Sequence, residues 1–407
     1  MITAAIVAEF NPLHNGHIFL IDEVRRELNA DKVVVIMSGD YVQRGQPAII
    51  NKQFRSQMAI AAGADLVLLL PTVYSLSNAD LFAFSSVSIL DKLGCVDYLC
   101  FASECGQIEI LDEIDEKLNN HSYEVEAQMK ALLSQGMTYG KARSTLFPEF
   151  SQVLDKSNNI LALEYIRALK SLNSSIKPFT IKRQGSDYND TEISEGVNAS
   201  ASGIRELLSS KTPSEDVSLS ILKSQLPSMA YDILSEQKKV CCPIDIDMFS
   251  SECYYSLLSK QEKLSEYLDI SDSLANKIRK HLSDFESISS FIEILKSKEV
   301  TYSRISRSIM HLLLNIKNDN DFYRNGLDKF SHIRILGISK DAPELMKEIA
   351  TQGRVSLITS IPKVYDEFND FERLIYDQDL FASTLYDHIV FKEFGSKAIH
   401  EYSKKYI

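Results

Sequence analysis

Long apolar runs are missing from this 407-residue sequence. No stretch of about 18 uncharged apolar residues occurs, so no membrane-spanning helix is predicted. The amino end has neither a basic segment nor a small-residue cleavage site, so we expect no signal peptide and a cytoplasmic location. The six cysteines form no CxxC pair and have no histidine at zinc-ligand spacing, which favours buried free thiols over a metal site.

The charge of the chain argues against a uniformly basic nucleic-acid-binding protein but leaves a local RNA-binding patch open. The formal net charge of −12 argues against a chain coated in nucleic acid, but it does not exclude a local basic patch. Residues 277–317 hold eight Lys or Arg against four Asp or Glu. A face for RNA phosphates with Tyr302 stacking on a base and an ordinary solvated helix face both explain this segment. The candidate phosphate-binding residues are Lys277, Arg279, Lys280, Arg304 and Arg307.

The length predicts two or three domains. Residues 1–210 alternate apolar strand-like runs with segments of helical period, and four successive βα units predict an α/β fold with a doubly wound, Rossmann-like parallel sheet. Residues 211–327 show helix after helix with few glycines, which predicts a mainly α-helical region. Residues 328–407 contain two short strand candidates around a helix and are predicted to form a small C-terminal α/β region.

The stretch AEFNPLHNGHIFL follows the first strand candidate directly. Ligands of open parallel sheets bind beyond the carboxyl ends of the strands, so this turn is an expected site. His14 lies in the turn and His17 on the first helical turn, where free N–H groups favour a phosphate, and Gly16 leaves room for a nucleotide. Two imidazole donors suit adenylyl transfer, which depends on positioning and charge neutralisation. Ordinary polar turn residues explain the motif about equally well.

The stretch NASASGIREL begins a later helix candidate. Ser200 and Ser202 at a helix start can bind phosphate, and Arg205 one turn on supplies a planar fork for phosphate oxygens. The alternative is a capping box in which Ser202 caps the helix and Glu206 lies nearby.

The two motifs together resemble the paired signature of the nucleotidyltransferase superfamily. Seven ordered segments resemble the tRNA(Met) cytidine acetate ligase family, densely over residues 1–210 and thinly beyond: AEFNPLHNGH, MSGDYVQRGQPA, NKQFRSQMA, ADLVLLLP, FASE, SNNILALEY and SDYND…SASGIR. The resemblance implies an enzyme that activates acetate with ATP, accompanied by Mg²⁺, to acetyl-adenylate. It further implies transfer of the acetyl group to N4 of the wobble cytidine, C34, of elongator tRNA(Met).

The resemblance also implies site residues. His14 and His17 would stabilise the α-phosphate, Ser200, Ser202 and Arg205 would hold the pyrophosphate end, and Asn158 and Arg183 would orient the nucleotide. Ala102 stands where the family usually has glycine, so an extra methyl group must fit there. The implied ATP segment consists of Val7, Ala8, Glu9, Phe10, Asn11, Pro12, Leu13, His14, Asn15, Gly16, His17, Ile18, Phe19 and Leu20.

The loop MSGDYVQRGQPA follows the second strand candidate. Gln43 and Arg44 are candidates for holding acetate or cytosine, and Lys52 and Arg55 on the next helix are candidates for phosphate. A solvated loop with an exposed basic turn is the alternative, and it is about as good for Arg55.

The sequence gives only weak indications of function for several acidic residues. Asp65 and Asp80 are expected to be turn or cap partners. The loop residues Asp187, Tyr188 and Asp190 are candidates for Mg²⁺ or RNA, although a turn explains them almost as well. No role is predicted for Asp40.

Two other functions remain open. One is an adenylate-forming enzyme, either a ligase of a small metabolite or a nucleotide adenylyltransferase. Such an enzyme would not need the basic segment 277–317. The other is a non-catalytic RNA-binding regulator that senses ATP, against which the intact His14, His17 and Arg205 weigh. Neither a stable protein partner nor an oligomeric state is predicted.

Overall fold

A single twisted sheet organises the chain. The computed structural model describes residues 1–119, 123–134, 137, 139–183, 200–209, 221–297, 300–397 and 401–403. Within them, strands β1 to β9 are Thr3–Ala8, Lys32–Ser38, Tyr41–Val42, Gln46–Pro47, Leu66–Leu70, Tyr98–Ser103, Lys177–Lys182, His332–Ile338 and Ser356–Ile358. Seven of these form a sheet in the order β7-β6-β1-β2-β5-β8-β9, and β3 pairs with β4 in a small antiparallel hairpin.

Helices cover both faces of the sheet and build most of the chain after it. Helices α1 to α10 are Asn15–Leu28, Lys52–Ala61, Thr72–Ser75, Ala79–Lys92, Ile108–Asn119, Tyr123–Ser134, Tyr139–Leu146, Ser151–Leu154, Ser157–Ser171 and Ala201–Ser209. Helices α11 to α19 are Ser228–Gln237, Ser250–Lys260, Asp272–His281, Ile288–Leu295, Tyr302–Leu313, Asn320–Gly326, Pro343–Gln352, Ile361–Val364 and Asp370–Phe394. None of the described helices combines the length and apolarity that crossing a bilayer requires.

The central strands are apolar on both faces because helices cover both faces. Residues 33–37 of β2 and 66–70 of β5 are all buried. Continuous apolar runs of this kind are typical of parallel strands in α/β folds. The five strands β7, β6, β1, β2 and β5 are parallel, which confirms the predicted α/β fold class.

The C-terminal strands join the same sheet. β8 pairs antiparallel with β5, and β9 pairs parallel with β8. Without β8, the apolar strand β5 would form an open sheet edge, which promotes aggregation. The α/β layer therefore includes chain from beyond residue 328, while the domain boundaries near 210 and 327 stay predictions.

Helix α15 connects the helical region to the sheet. Its Ser306 hydroxyl donates to the main-chain oxygen of Gly45 at 2.7 Å. His311, on the same helix, is fully buried between the main-chain oxygens of Leu268 and Leu76, at 3.0 and 3.1 Å. The Ser306 hydrogen bond places α15 directly against the loop that follows β2, and the bond to Leu76 attaches the helix to the chain after α3.

Candidate active site

The two histidines of the HNGH turn cap helix α1 reciprocally. Nδ1 of His14 accepts from the main-chain N–H of Gly16, and Nδ1 of His17 accepts from the main-chain N–H of His14, both at 3.1 Å. The ring centroids of His14 and His17 lie 3.9 Å apart. The three-residue spacing therefore satisfies helix-start N–H groups and places both rings side by side.

These hydrogen bonds determine which ring nitrogens carry protons. A neutral imidazole has one donor and one acceptor nitrogen, so an accepting Nδ1 leaves the proton on Nε2. Burial, followed by the charges of Arg183 and Arg205, lowers the pKa of His14 from 6.5 to about 3. Burial, followed by the nearby His14 and Arg183, also lowers the pKa of His17 well below 6.5. Both rings are therefore neutral at pH 7, with Nε2–H as a donor.

Gly16 is required by the close packing of the His14 ring. A Cβ at this position would lie 2.9 Å from Cε1 and 3.1 Å from Nδ1 of His14. Phe10 supports the other ring, since it contacts His17 edge-on with centroids 4.9 Å apart. Any larger residue at position 16 would displace the His14 ring.

Arg205 reaches from helix α10 to the HNGH turn. Its Nη1 donates to the main-chain oxygen of Asn11 at 2.7 Å, and its Nη2 donates to Oγ of Ser202 at 2.9 Å. Ser200, not Ser202, caps α10, because Oγ of Ser200 accepts from the N–H of Gly203 at 3.1 Å. The alternative in which Ser202 caps the helix is therefore wrong.

A cavity at the carboxyl ends of β1 and β6 joins these groups, and we name it the nucleotide cavity. The polar residues that line it are Glu9, Asn11, His14, His17, Gln43, Asn158, Lys182, Arg183 and Arg205. The remaining lining is Ile6, Val7, Ala8, Phe10, Gly16, Phe19, Leu20, Phe82, Phe101, Ala102, Leu161, Tyr165, Ile181 and Ala201. A lining that combines cationic side chains with apolar and aromatic ones suits a phosphorylated ligand with an aromatic base.

One face of helix α9 forms a wall of the nucleotide cavity. Asn158, Leu161 and Tyr165 follow the helical period and all line it. Nδ2 of Asn158 donates to Oε1 of Glu104 at 2.7 Å. The adjacent Asn159 is buried and instead accepts from the N–H groups of Glu104 and Cys105. Asn158 therefore lines the cavity, whereas Asn159 supports the loop after β6.

Comparison with known proteins identifies the family. The family model for HIGH nucleotidyl transferases matches residues 1–401. A tRNA(Met) cytidine acetate ligase from Thermoanaerobacter sp. (strain X514) is 36% identical over 388 residues, 94% of each chain. Another from Caldanaerobacter subterraneus subsp. tengcongensis is 36% identical over 397 residues, 96% of each chain. The chain belongs to the tRNA(Met) cytidine acetate ligase family.

Solved structures agree with the family assignment. Two crystal structures of Thermotoga maritima TmcAL, one apo and one bound with alpha-thio ATP, match with TM-scores of 0.90 and 0.88. Both are 26% identical to this chain, and each match covers 100% of this chain and 99% of the other. The resemblance of the sequence to this ligase family is thereby confirmed.

Most residues of the ATP segment implied for this family line the nucleotide cavity, and four do not. Leu13 is fully buried in the core, and Ile18 packs against the core. Asn15 donates to the main-chain oxygen of Ser224 at 3.0 Å, and Pro12 follows a cis peptide bond. Of the distant residues, Ala102, Asn158, Arg183 and Arg205 line the cavity, but Ser200 and Ser202 do not.

Lys52 and Arg55 are corrected to structural residues. Lys52 is 2% exposed, and its Nζ contacts Asp40 at 2.6 Å and Glu401 at 2.8 Å. Removing one partner of a buried ion pair of this kind costs about 3–5 kcal/mol, so the role of Lys52 is to hold the loop after β2 to the C-terminal region. Neither the Lys52 nor the Arg55 side chain is available to bind phosphate.

Arg55 holds the ends of the two strands beside the nucleotide cavity. Its guanidinium is fully buried and donates to the main-chain oxygens of Glu9 at 2.6 Å and Ser38 at 3.1 Å. The guanidinium also donates to the main-chain oxygen of Gly39. Asp65 is likewise structural as predicted, since it accepts from the N–H of Val33 and pairs with Arg25.

Aromatic residues of the cavity were missed by the sequence analysis. Phe101 and Tyr165 are in ring contact, with centroids 5.6 Å apart, and both line the cavity. Tyr165 lies seven residues after Asn158, so helical periodicity offered a signal for it. No sequence signal indicated Phe82, because its place in the cavity wall depends on the packing of α4 against α9.

A second, larger opening lies on the other side of α9, and we name it the basic cleft. It has a volume of about 1110 Å³, and α7, α9, α13 and α15 contribute to its walls. Its basic residues are Arg143, Arg167, Lys277, Arg304 and Arg307. Three of the five predicted RNA-binding residues therefore share one opening. Arg279 and Lys280 do not line it; Arg279 donates to the main-chain oxygen of Gln261 at 2.7 Å.

No described group of three or more His, Cys, Asp or Glu forms a metal site. Glu9 is the sole carboxylate among the described residues that line the nucleotide cavity. Asp187, Tyr188 and Asp190 lie outside the described residues. Asp80 pairs with Arg324 at 2.8 Å.

Proposed function

We propose that this chain is an ATP-dependent ligase that forms acetyl-adenylate and acetylates N4 of the wobble cytidine of elongator tRNA(Met). The observation that carries the proposal is the convergence of His14, His17 and Arg205 on one cavity, in a chain 36% identical to ligases of that name. The distance of 194 positions between Asn11 and Arg205 makes this convergence a property of the fold.

The first half-reaction is adenylation of acetate. A carboxylate oxygen of acetate attacks the α-phosphorus of ATP, the bond to the β-phosphate oxygen breaks, and pyrophosphate leaves. Negative charge spreads over the phosphate oxygens during this step, and preorganised donors stabilise it. The neutral Nε2–H groups of His14 and His17 act on the α-phosphate, while Arg205 neutralises the departing pyrophosphate. Arg183 adds positive charge beside both rings.

The aromatic and apolar residues of the nucleotide cavity suit the adenine ring. Phe101, Leu161 and Tyr165 form its walls, and Asn158 and Arg183 orient the nucleotide. Ala102 also lines the cavity, so its methyl group borders the nucleotide. Mg²⁺ enters as the substrate MgATP, because a single carboxylate among the described lining residues suits an ion that keeps its waters and phosphate ligands.

The second half-reaction needs no protein nucleophile. None of the described residues that line the nucleotide cavity is a serine, threonine or cysteine. Acetyl-adenylate is itself an activated acyl donor. N4 of the cytidine attacks its carbonyl carbon, the carbon–oxygen bond to AMP breaks, and the nitrogen loses a proton to solvent.

The basic cleft is the proposed docking site for tRNA. Arg304 is exposed at the cleft, and Lys277 donates to the main-chain oxygens of Leu295 and Lys296, at 2.7 and 3.1 Å. An exposed arginine here can bind an RNA phosphate, whereas Arg143, Arg167 and Arg307 pair with Glu164 and Asp269 of the same cleft. Arg44, Arg279 and Lys280 lie outside the cleft, and their contact with tRNA stays a prediction.

The β3–β4 hairpin connects the cleft to the nucleotide cavity. Gln43 lines the cavity, and its N–H donates to Glu9 at 2.9 Å. Gly45, two residues on, lies against the backbone of Arg307, which lines the cleft. Two residues span at most about 7 Å. RNA held at Arg307 therefore lies close to the cavity in which the acetyl group is activated.

Exchange of labelled pyrophosphate into ATP tests this function. We expect exchange that requires acetate, and transfer of labelled acetate to tRNA(Met) but not to a transcript with C34 changed to U. Mass spectrometry of digested tRNA should find N4-acetylcytidine. No exchange under any condition would indicate an ATP-sensing regulator, and exchange with another acid would indicate a metabolite ligase. A cytoplasmic location stays a prediction.

A further inference from the structure

Glu9 is fixed at two points beside the nucleotide cavity. Its main-chain oxygen accepts from Nη1 of Arg55 at 2.6 Å, and its carboxylate Oε1 accepts from the main-chain N–H of Gln43 at 2.9 Å. The second carboxylate oxygen, Oε2, has no hydrogen-bond partner in the part of the chain that the structure describes. Glu9 is half-buried and lines the cavity, so Oε2 is left to accept from a bound substrate.

Among the described residues that line the nucleotide cavity, Glu9 is the only side chain suited to accept a proton. Nδ1 of His14 and Nδ1 of His17 each accept a main-chain N–H, and Nε2 of each ring carries the proton, so neither ring has a free lone pair. The lysine and the two arginines of the lining are cations, and none of the other described lining residues is a carboxylate.

The strand order shows on which side of the cavity Glu9 lies. β1 lies between β6 and β2 in the sheet. The residues of the proposed adenine site, Phe101, Leu161 and Tyr165, come from β6 and from α9, which packs against β6. Gln43 lines the cavity from the hairpin that follows β2. Because the carboxylate of Glu9 is bonded to Gln43, it lies on the hairpin side of the adenine site.

The same hairpin borders the basic cleft, which is the proposed docking site for tRNA. Oγ of Ser306 donates to the main-chain oxygen of Gly45 at 2.7 Å, and Gly45 lies against the backbone of Arg307, which lines the cleft. A nucleotide of RNA docked in the cleft therefore reaches the cavity past the hairpin. Gln43 and the carboxylate bonded to it are the lining groups attached to this hairpin.

We propose that Glu9 is the catalytic base of the second half-reaction, in which its Oε2 takes a proton from N4 of the cytidine as N4 attacks acetyl-adenylate. The lone pair of N4 is delocalised into the cytosine ring, so removal of a proton during the attack makes this nitrogen a better nucleophile. The bond from N4 to the carbonyl carbon forms, the carbon–oxygen bond to AMP breaks, and the proton passes through Glu9 to solvent. The inference rests on the function proposed above.

Two substitutions distinguish a proton acceptor from a residue that only holds the hairpin. Glu9→Gln keeps an oxygen for the N–H of Gln43 but cannot take the proton, whereas Glu9→Asp keeps a carboxylate but is one methylene shorter and loses that hydrogen bond. Synthetic acetyl-adenylate, supplied with tRNA(Met) and without ATP, isolates the transfer step. We expect kcat of transfer to fall at least about 100-fold in Glu9→Gln and less in Glu9→Asp. The tRNA KM should change less than about threefold, because a base acts on the reacting step.

Pyrophosphate exchange reports the first half-reaction, in which no proton is transferred. Acetate-dependent exchange by Glu9→Gln should therefore stay within about threefold of wild type. Thermal melting confirms folding of both variants. Glu236→Gln, at an exposed residue of α11, is the matched control and should leave both half-reactions unchanged.

The outcomes separate the role of Glu9 from the function of the enzyme. Wild-type protein without acetate-dependent exchange, or without transfer to tRNA(Met), would overturn the proposed function. Wild-type transfer in Glu9→Gln would overturn only the role of Glu9, and so would faster transfer in Glu9→Gln than in Glu9→Asp, which would indicate a hairpin contact. Equal losses of exchange and transfer in Glu9→Gln would place Glu9 with MgATP and also overturn its role as a base.

Discussion

Nη1 of Arg205 donates a hydrogen bond to the main-chain oxygen of Asn11 at 2.7 Å, across 194 positions of the sequence. Through this bond, helix α10 is attached to the turn that carries both histidines. The guanidinium fork also donates to Ser202, so its plane is fixed while it faces the nucleotide cavity.

Replacing the fork with a point charge tests this arrangement. Arg205→Lys keeps the positive charge but cannot bond Asn11, Ser202 and a phosphate together. We expect the ATP KM in pyrophosphate exchange to rise at least about tenfold, with little change in the acetate KM. Arg279→Lys, on the exposed face of α13, should leave both constants unchanged. Wild-type kinetics in Arg205→Lys would remove Arg205 from the phosphate site.

Burial of His14 makes stability depend on pH. Its folded pKa is about 3, whereas the unfolded chain binds this proton near pH 6.5. Protonation therefore favours the unfolded state, and the free energy of unfolding should fall as pH decreases below 6.5. The contribution approaches about 1.4 kcal/mol per pH unit.

His14→Asn isolates this contribution, because asparagine can still cap the helix. Denaturant unfolding of both proteins between pH 7 and 5 should give a smaller pH slope for the variant. Equal slopes would show that His14 titrates alike in the folded and unfolded chains. The burial-lowered pKa of His14 would then be contradicted.

The parallel strands, the HNGH turn and Arg205 were predictable from local sequence patterns, whereas the β3–β4 hairpin lies in a segment predicted to be a loop. Apolar runs of six or seven residues predict β1 and β2, and two histidines three apart predict a shared helix start. The pairing of β8 with β5 was not predictable, since no local sequence pattern specifies which strand an edge strand pairs with. The burial of Lys52 was missed for the same reason, because its partner Glu401 lies near the other end of the chain.

Arg304 tests the proposed RNA site without disturbing the fold. Arg304→Ala should raise the tRNA KM and reduce the slope of log affinity against log salt by about 1, as loss of one phosphate contact does. Exchange without tRNA should be unchanged. Arg307→Ala is less suitable, because Arg307 pairs with Asp269 at 3.1 Å and its loss also weakens the fold.

An exposed arginine provides the control for this experiment. Arg354→Ala, on the surface and paired with Asp91, should leave the tRNA KM unchanged. If Arg304→Ala abolished exchange as well, the separation of the basic cleft from the catalytic site would be wrong.

Substitution of Gly45 tests the proposed connection between the basic cleft and the nucleotide cavity. Its φ is +77°, and an added Cβ would lie 2.3 Å from the main-chain nitrogen of Arg307. Gly45→Ala must therefore shift α15 away from the hairpin. We expect tRNA acetylation to fall at least about tenfold more than exchange, because Gln43 stays bonded to Glu9. Parallel losses would contradict this, and Gly395→Ala, at a similar φ of +69° but with no atom within 4 Å of the added Cβ, is the control.

The most direct measurement is a crystal structure of this protein with a non-hydrolysable ATP analogue. We expect α-phosphate oxygens within about 2.7–3.2 Å of Nε2 of His14 and His17, and the terminal phosphates at Arg205. A triphosphate bound in the basic cleft, or one that leaves both imidazoles without contact, would contradict the proposed catalytic site.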